Sequence, residues 1–90
     1  MKTLMEKFMH ALSDERDAFW DYMEIIECEM AKEHKPLFVA IAQDELQHFH
    51  KIVSTVWSDM SNKTDMEKAF YHSLMKEHKM MEEYLMHHSK

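Results

Sequence analysis

Residues 38–52 read Phe38-Val39-Ala40-Ile41-Ala42-Gln43-Asp44-Glu45-Leu46-Gln47-His48-Phe49-His50-Lys51-Ile52. Phe38, Ile41, Phe49 and Ile52, continued by Val56 and Met60, fall on one side of a helix rather than on alternate faces of a strand. Between Ile41 and Phe49 this stripe passes through Glu45 and His48. Ionisable groups therefore occupy places where the pattern asks for leucine. Burying a lone carboxylate costs several kcal/mol even after relaxation, unless it is paired or bound to a metal.

Pro36 marks the start of this helix, because proline is tolerated in a first turn, where its missing N–H breaks no bond. The spacing predicts a helix over about 36–60. Upstream, Thr3-Leu4-Met5-Glu6 is a capping-box pattern. Met5, Phe8, Leu12, Phe19, Met23, Ile26 and Met30 form a second stripe and predict a helix over about 3–30. An acid, Glu15, interrupts this stripe too, between Leu12 and Phe19. Downstream, Ser61-Asn62-Lys63 is a short break, and Thr64-Asp65-Met66-Glu67 repeats the capping box. Phe70, Leu74, Met81 and Leu85 predict a third helix over about 64–87. Long helices joined by short loops pack antiparallel. The expected fold is all-α: a long antiparallel helical hairpin plus a third helix, in a single domain over 1–90.

At 90 residues the chain is near the size at which one core is marginal. Cys28 is the only cysteine, so no internal disulfide can form, and a reducing compartment is expected. Oligomerisation is then the usual remedy. No apolar leader and no membrane-length run is visible, which predicts a soluble, cytoplasmic protein. There are 17 Asp and Glu against 11 Lys and Arg, with no basic stripe, which argues against nucleic acid as a partner. Glycine is absent and proline occurs once, which argues against tight β-turns and phosphate-binding glycine loops. The 11 methionines suit adaptable helix packing. Methionine and histidine do not fall in repeated close pairs, which argues against a copper carrier.

Glu45-Leu46-Gln47-His48 is a Glu-x-x-His. That spacing puts a carboxylate and an imidazole on one helix face, about 5–6 Å apart at Cβ. Such a pair chelates one metal or helps to bridge two, and Glu15 on the neighbouring helix supplies a shared oxygen ligand. Carboxylate oxygen with imidazole nitrogen suits iron or manganese. One protomer offers too few ligands for a closed tetrahedral zinc site.

The run Ile41-Ala42-Gln43-Asp44-Glu45-Leu46-Gln47-His48 resembles the second-helix signature of the ferritin-like superfamily, which includes rubrerythrins and ferritins. Full members carry two helix pairs, each giving a Glu and a Glu-x-x-His. This chain has a single Glu-x-x-His and is similar instead to the half-length encapsulated ferritins. The likeness lies in size, in a two-helix hairpin followed by a third helix, and in the spacing of Glu15 and Glu45. It covers roughly residues 13 to 57. It implies a ferritin-like four-helix bundle formed by dimerisation. It implies two irons per dimer, or manganese in their place, held by both copies of Glu15, Glu45 and His48. It further implies ferroxidase chemistry, ferrous iron oxidised by dioxygen or peroxide, with those residues catalytic. By the same likeness Tyr22 is a candidate to hydrogen-bond or pass electrons beside the site. The acidic row Asp14, Asp17 and Asp21 is a candidate path for arriving metal ions. The plain alternatives are a core aromatic and a solvated helix face. The shell-targeting C-terminal tail of encapsulated ferritins has no counterpart here, so residence in a shell is not implied.

The register of the hairpin bears on this reading. A sharp reversal at Lys35 would leave Glu15 about 15 Å from the level of Glu45, at 1.5 Å per residue. The site requires helix 1 to stop near Met30 with a linker taking up the difference. Failing that, the partner's Glu15 must reach Glu45, or Glu24 or Glu27 must stand in for Glu15. His78 replaces an apolar residue of helix 3 near Glu77 and Glu82, and is a candidate ligand or support for a ligand. His50 is expected to point away from His48 into solvent, and His87 and His88 to be terminal surface residues. Cys28 has no His or Cys partner at motif spacing and reads as a buried structural thiol. The leading alternative is a metal-free helical interaction module, in which Glu15, Glu45 and His48 form a hydrogen-bonded cluster that sets dimer register.

Overall fold

Both capping boxes close at helix starts. Thr3 Oγ1 accepts from the Glu6 N–H at 3.1 Å, and Glu6 Oε2 accepts from the Thr3 N–H at 3.3 Å. Thr64 and Glu67 repeat the exchange at 3.1 and 3.0 Å. The hydrogen bonds from Thr64, its backbone first, hold the Glu67 carboxyl below the usual carboxylate range. These caps begin α1, Leu4–Glu27, and α3, Asp65–His88; between them runs α2, Lys35–Asp59, with Pro36 in its first turn. The computed structural model describes residues 3–59 and 64–89, with the side chains of 29–31 and 59 excepted. Met60 and the break at 61–63 lie outside the described residues. Among the described residues the chain is all-helical, with no strand.

α1 stops at Glu27, short of the 3–30 span that its stripe predicts. Cys28 turns to extended backbone, φ −81° and ψ 120°, and its N–H reaches back to the Ile25 carbonyl at 3.0 Å. Such a tightened bond closes a final helical turn. A 3-10 helix, Glu29–His34, then leads into α2. This break supplies the register that the hairpin needs. Glu15 stands about 18 Å back from Glu27, and Glu45 about 15 Å on from Lys35, at 1.5 Å per residue. The two carboxylates therefore arrive at nearly the same level.

The core lies where all three helices meet. Phe19, Met23 and Ile26 of α1 pack with Ala42 and Leu46 of α2 and with Met81 and Leu85 of α3. A second cluster joins Leu12, Phe49, Val53 and Leu74. Around the core, α3 is fastened to one flank of the hairpin. Arg16 forms an ion pair with Glu77, its Nη2 donating to Oε2 at 3.1 Å. Trp20 meets Tyr84 edge-on at 5.0 Å, and Trp57 stacks on Tyr71 at 4.3 Å.

Among the described residues no helix lies over the other flank. Ala18, Tyr22 and Ile25 follow Glu15 at helical spacing, and Ile41 and Ile52 bracket Glu45 and His48 in the same way. These apolar residues are half-buried. The molecule is correspondingly extended. Its Cα radius of gyration is 15.0 Å, against about 12 Å for a globular domain of this length. Its accessible surface is 6545 Å², against about 5600 Å² for a compact monomer of this mass. Among the described residues no helix is long and apolar enough to cross a membrane.

Phe49 is fully buried and belongs to the cluster that joins all three helices. Phe49→Ala is expected to lower unfolding free energy by about 3–5 kcal/mol. Met66→Ala, at a position 82% exposed, should change it by less than about 0.5 kcal/mol. Urea unfolding followed by circular dichroism measures both. Equal effects would contradict this placement of the core.

Candidate metal centre

Three side chains from two helices converge where the apolar stripes are interrupted. Glu15 on α1 and Glu45 and His48 on α2 each offer one ligand atom, all within 4.8 Å of one another. Among the described residues this is the one group of three or more His, Cys, Asp or Glu side chains so placed. His48 Nδ1 stands 3.4 Å from Glu15 Oε2. The Glu15 side chain is 24% exposed and that of His48 is 55% exposed, so the cluster runs from the hairpin interior out to solvent.

Glu15 Oε2 is buried, and no N–H or O–H of the ionised protein donates to it. Leaving a buried acceptor unmatched costs about 1–3 kcal/mol, more for a charged one. A proton or a cation relieves this. The Glu45 carboxyl is pushed up from 4.5 to about 7. The hydrogen bond it shares with Glu15 is the main cause, followed by burial and the negative charge of Glu15, with His48 partly offsetting them. Near neutral pH the carboxylate pair thus holds a proton that a cation would displace.

The donor set fits a first-row metal ion. Ligands each about 2.0–2.2 Å from one ion stand about 3.0–3.5 Å apart, and the Glu15–His48 separation of 3.4 Å lies in that range. Carboxylate oxygen with imidazole nitrogen favours iron or manganese over softer metals. Three donors from one chain leave the coordination open on the side where His48 meets solvent.

Glu15, and neither Glu24 nor Glu27, meets Glu45. Glu24 is exposed. Glu27 accepts a hydrogen bond from the Tyr84 hydroxyl, which raises the tyrosine's pKa, and it stands 3.5 Å from His88 Nε2. His88 is therefore tied into the α1–α3 contact rather than being a free terminal residue, and it packs on Tyr84 at 4.3 Å. Tyr22 lies on the open flank, tilted against Phe38 at 6.2 Å. Asp14, Asp17 and Asp21 are exposed, and Asp14 lies 3.6 Å from His10. His78, read from the sequence as a ligand or support for one, lies elsewhere: it stacks on Phe49 at 6.1 Å and meets His50 at 5.3 Å. Cys28 is exposed, not a buried thiol, because the helix breaks there. The sequence reading missed the meeting of His50 and His78. The offset of His50 from His48 says only that it leaves the cluster, and the flank that α3 covers is not written in local pattern.

No family model, no curated protein and no solved structure matches this chain.

In the metal-free protein Glu45 is expected to titrate near pH 7, followed by carbon-detected NMR of its carboxyl. Glu15→Ala removes both the hydrogen-bond acceptor and the neighbouring charge, and should return Glu45 toward the ordinary range. The folded state holds this proton more tightly than the unfolded chain. Its stabilising contribution is therefore fully present below about pH 4.5 and is lost as pH rises through about 7. Glu45→Gln should flatten that fall in melting temperature. An unchanged slope would mean that Glu45 does not carry the proton.

Proposed function

We propose that two copies of this chain pair through the open flank of the hairpin and form a ferritin-like di-iron, or di-manganese, carboxylate centre with ferroxidase-type activity. The observation that carries this reading is the convergence of Glu15, Glu45 and His48 within 4.8 Å, with a buried carboxylate oxygen that lacks a donor. The site's place on the flank supports the pairing. α3 occupies the opposite flank through Arg16, Trp20 and Trp57. The uncovered flank presents half-buried Tyr22, Ile25, Ile41 and Ile52 around the ligands. A two-fold partner would lay the same residues against them, burying the apolar rows and supplying the ligands that one chain lacks.

Charge supports the same stoichiometry. Glu15 and Glu45 from two protomers bring four carboxylates, matching the charge of two divalent ions. His48 adds one nitrogen per protomer, so the two-fold axis would give both ions the same set of donors. The irons are substrate: two ferrous ions give up one electron each, and one dioxygen takes both electrons and two solvent protons to become hydrogen peroxide. Glu45 releases its own proton as metal binds, so the carboxylates are charged when they are needed.

Native mass spectrometry after anaerobic ferrous loading is expected to find about two irons per dimer, lost in Glu45→Ala. The rate of ferric-iron appearance should fall at least about tenfold in the same variant. A dimer that takes up no iron and is unchanged by the substitution would instead make the cluster a metal-free device for setting helix register.

A further inference from the structure

Where α3 covers the hairpin, His50 of α2 meets His78 of α3. We propose that His50 and His78 together bind one divalent ion of the zinc class (zinc, copper or nickel) and staple α3 to α2. This site is separate from the Glu15–Glu45–His48 cluster and does not depend on its proposed function.

The two imidazole centres are 5.3 Å apart, with ring planes at 57°. Two imidazoles on one tetrahedral ion, with metal–nitrogen bonds of about 2.0–2.1 Å, put their ring centres about 5 Å apart. The observed separation of the ring centres matches that spacing. The rings come from different helices, so the ion would bridge elements that no covalent bond holds together here. Buried Phe49 stacks on His78 at 6.1 Å and 20°, which fixes that ring's plane.

His50, His78 and Glu82 line one solvent-open groove between α2 and α3, backed by Leu46 and Leu85. Glu82 lies one helical turn after His78 and lines the same groove, but it does not join the two imidazoles as a third ligand. Two imidazole nitrogens, with the remaining positions left to water, suit zinc, copper or nickel and are richer in nitrogen than iron favours. The exposed setting of His50 keeps the ligand desolvation cost small. An ion that binds only when α3 is docked stabilises the docked state by mass action.

The test uses the full chain carrying Glu45→Gln and His48→Ala, which removes two of the three donors of the other cluster. Zinc chloride titrated calorimetrically into this protein is expected to bind at one ion per chain. It should raise the unfolding midpoint by roughly 5 °C or more at saturation. Adding His50→Asn, an exposed substitution that should leave the circular dichroism spectrum unchanged, is expected to abolish both effects. His78→Gln should do the same, whereas His88→Asn should leave both intact. Cobalt(II) in place of zinc should give the intense visible absorption of a tetrahedral site, absent in the His50 variant. Failure of the parent protein to bind zinc, or zinc binding that survives His50→Asn, would overturn the proposal.

Discussion

The level at which α1 meets α2 governs the rest of the molecule. Each residue of slip between two helices moves side chains about 1.5 Å along the axis and turns them 100° around it. One register brings Phe19, Met23 and Ile26 against Ala42 and Leu46, and Leu12 against Phe49 and Val53. That same register brings Glu15 to Glu45 and His48. The core and the cluster are thus not independent choices. The break at Cys28 and the 3-10 helix Glu29–His34 determine both. Any substitution that lengthened α1 through Cys28 would displace the ligands and the apolar packing together.

That register places two carboxylates side by side between apolar rows, an arrangement a core would not select for its own stability. The cost appears as a proton held by Glu45 to about pH 7 and as a Glu15 oxygen without a donor. Elsewhere the chain matches its partly buried charges. Arg16 faces Glu77, and Glu27, at the helix end where a carboxylate meets the negative pole of the dipole, is supported by Tyr84 and His88. Among the described residues Glu15 has no such oppositely charged Arg or Lys beside it; its neighbours are a second carboxylate and an imidazole, which is the arrangement on which the proposed cation site rests.

Much of this was legible in the sequence because it follows from local rules. Thr3 with Glu6 and Thr64 with Glu67 announce helix starts, and Pro36 fits a first turn. The interruption of apolar stripes by Glu15, Glu45 and His48 follows from helical periodicity, so the three members of the cluster are legible in the sequence. The end of α1 was not legible. Cys28-Glu29 contains neither glycine nor proline, and Met30 continues the stripe, so the pattern runs past the true boundary. The break is dictated by what the hairpin must align, a tertiary requirement that overrides propensity. The same holds for the partners of α3. Periodicity gives its apolar face but not the flank of the hairpin that receives it, so the Glu27–Tyr84 and His50–His78 contacts appear only in three dimensions.

The position of α3 then decides how the site can grow. A bare hairpin has two equivalent flanks and could associate through either, or through both into an open array. α3 fills one flank with an ion pair and aromatic contacts, and the flank that remains is the one carrying the ligands. A surface that is used once per chain and pairs with its own copy makes a closed two-fold contact and does not propagate. In the proposed dimer, symmetry alone would set a second Glu15–Glu45–His48 cluster against the first. The third helix contributes no residue to the Glu15–Glu45–His48 cluster, yet by covering the opposite flank it would, in the proposed dimer, leave two chains to meet where their carboxylates face one another.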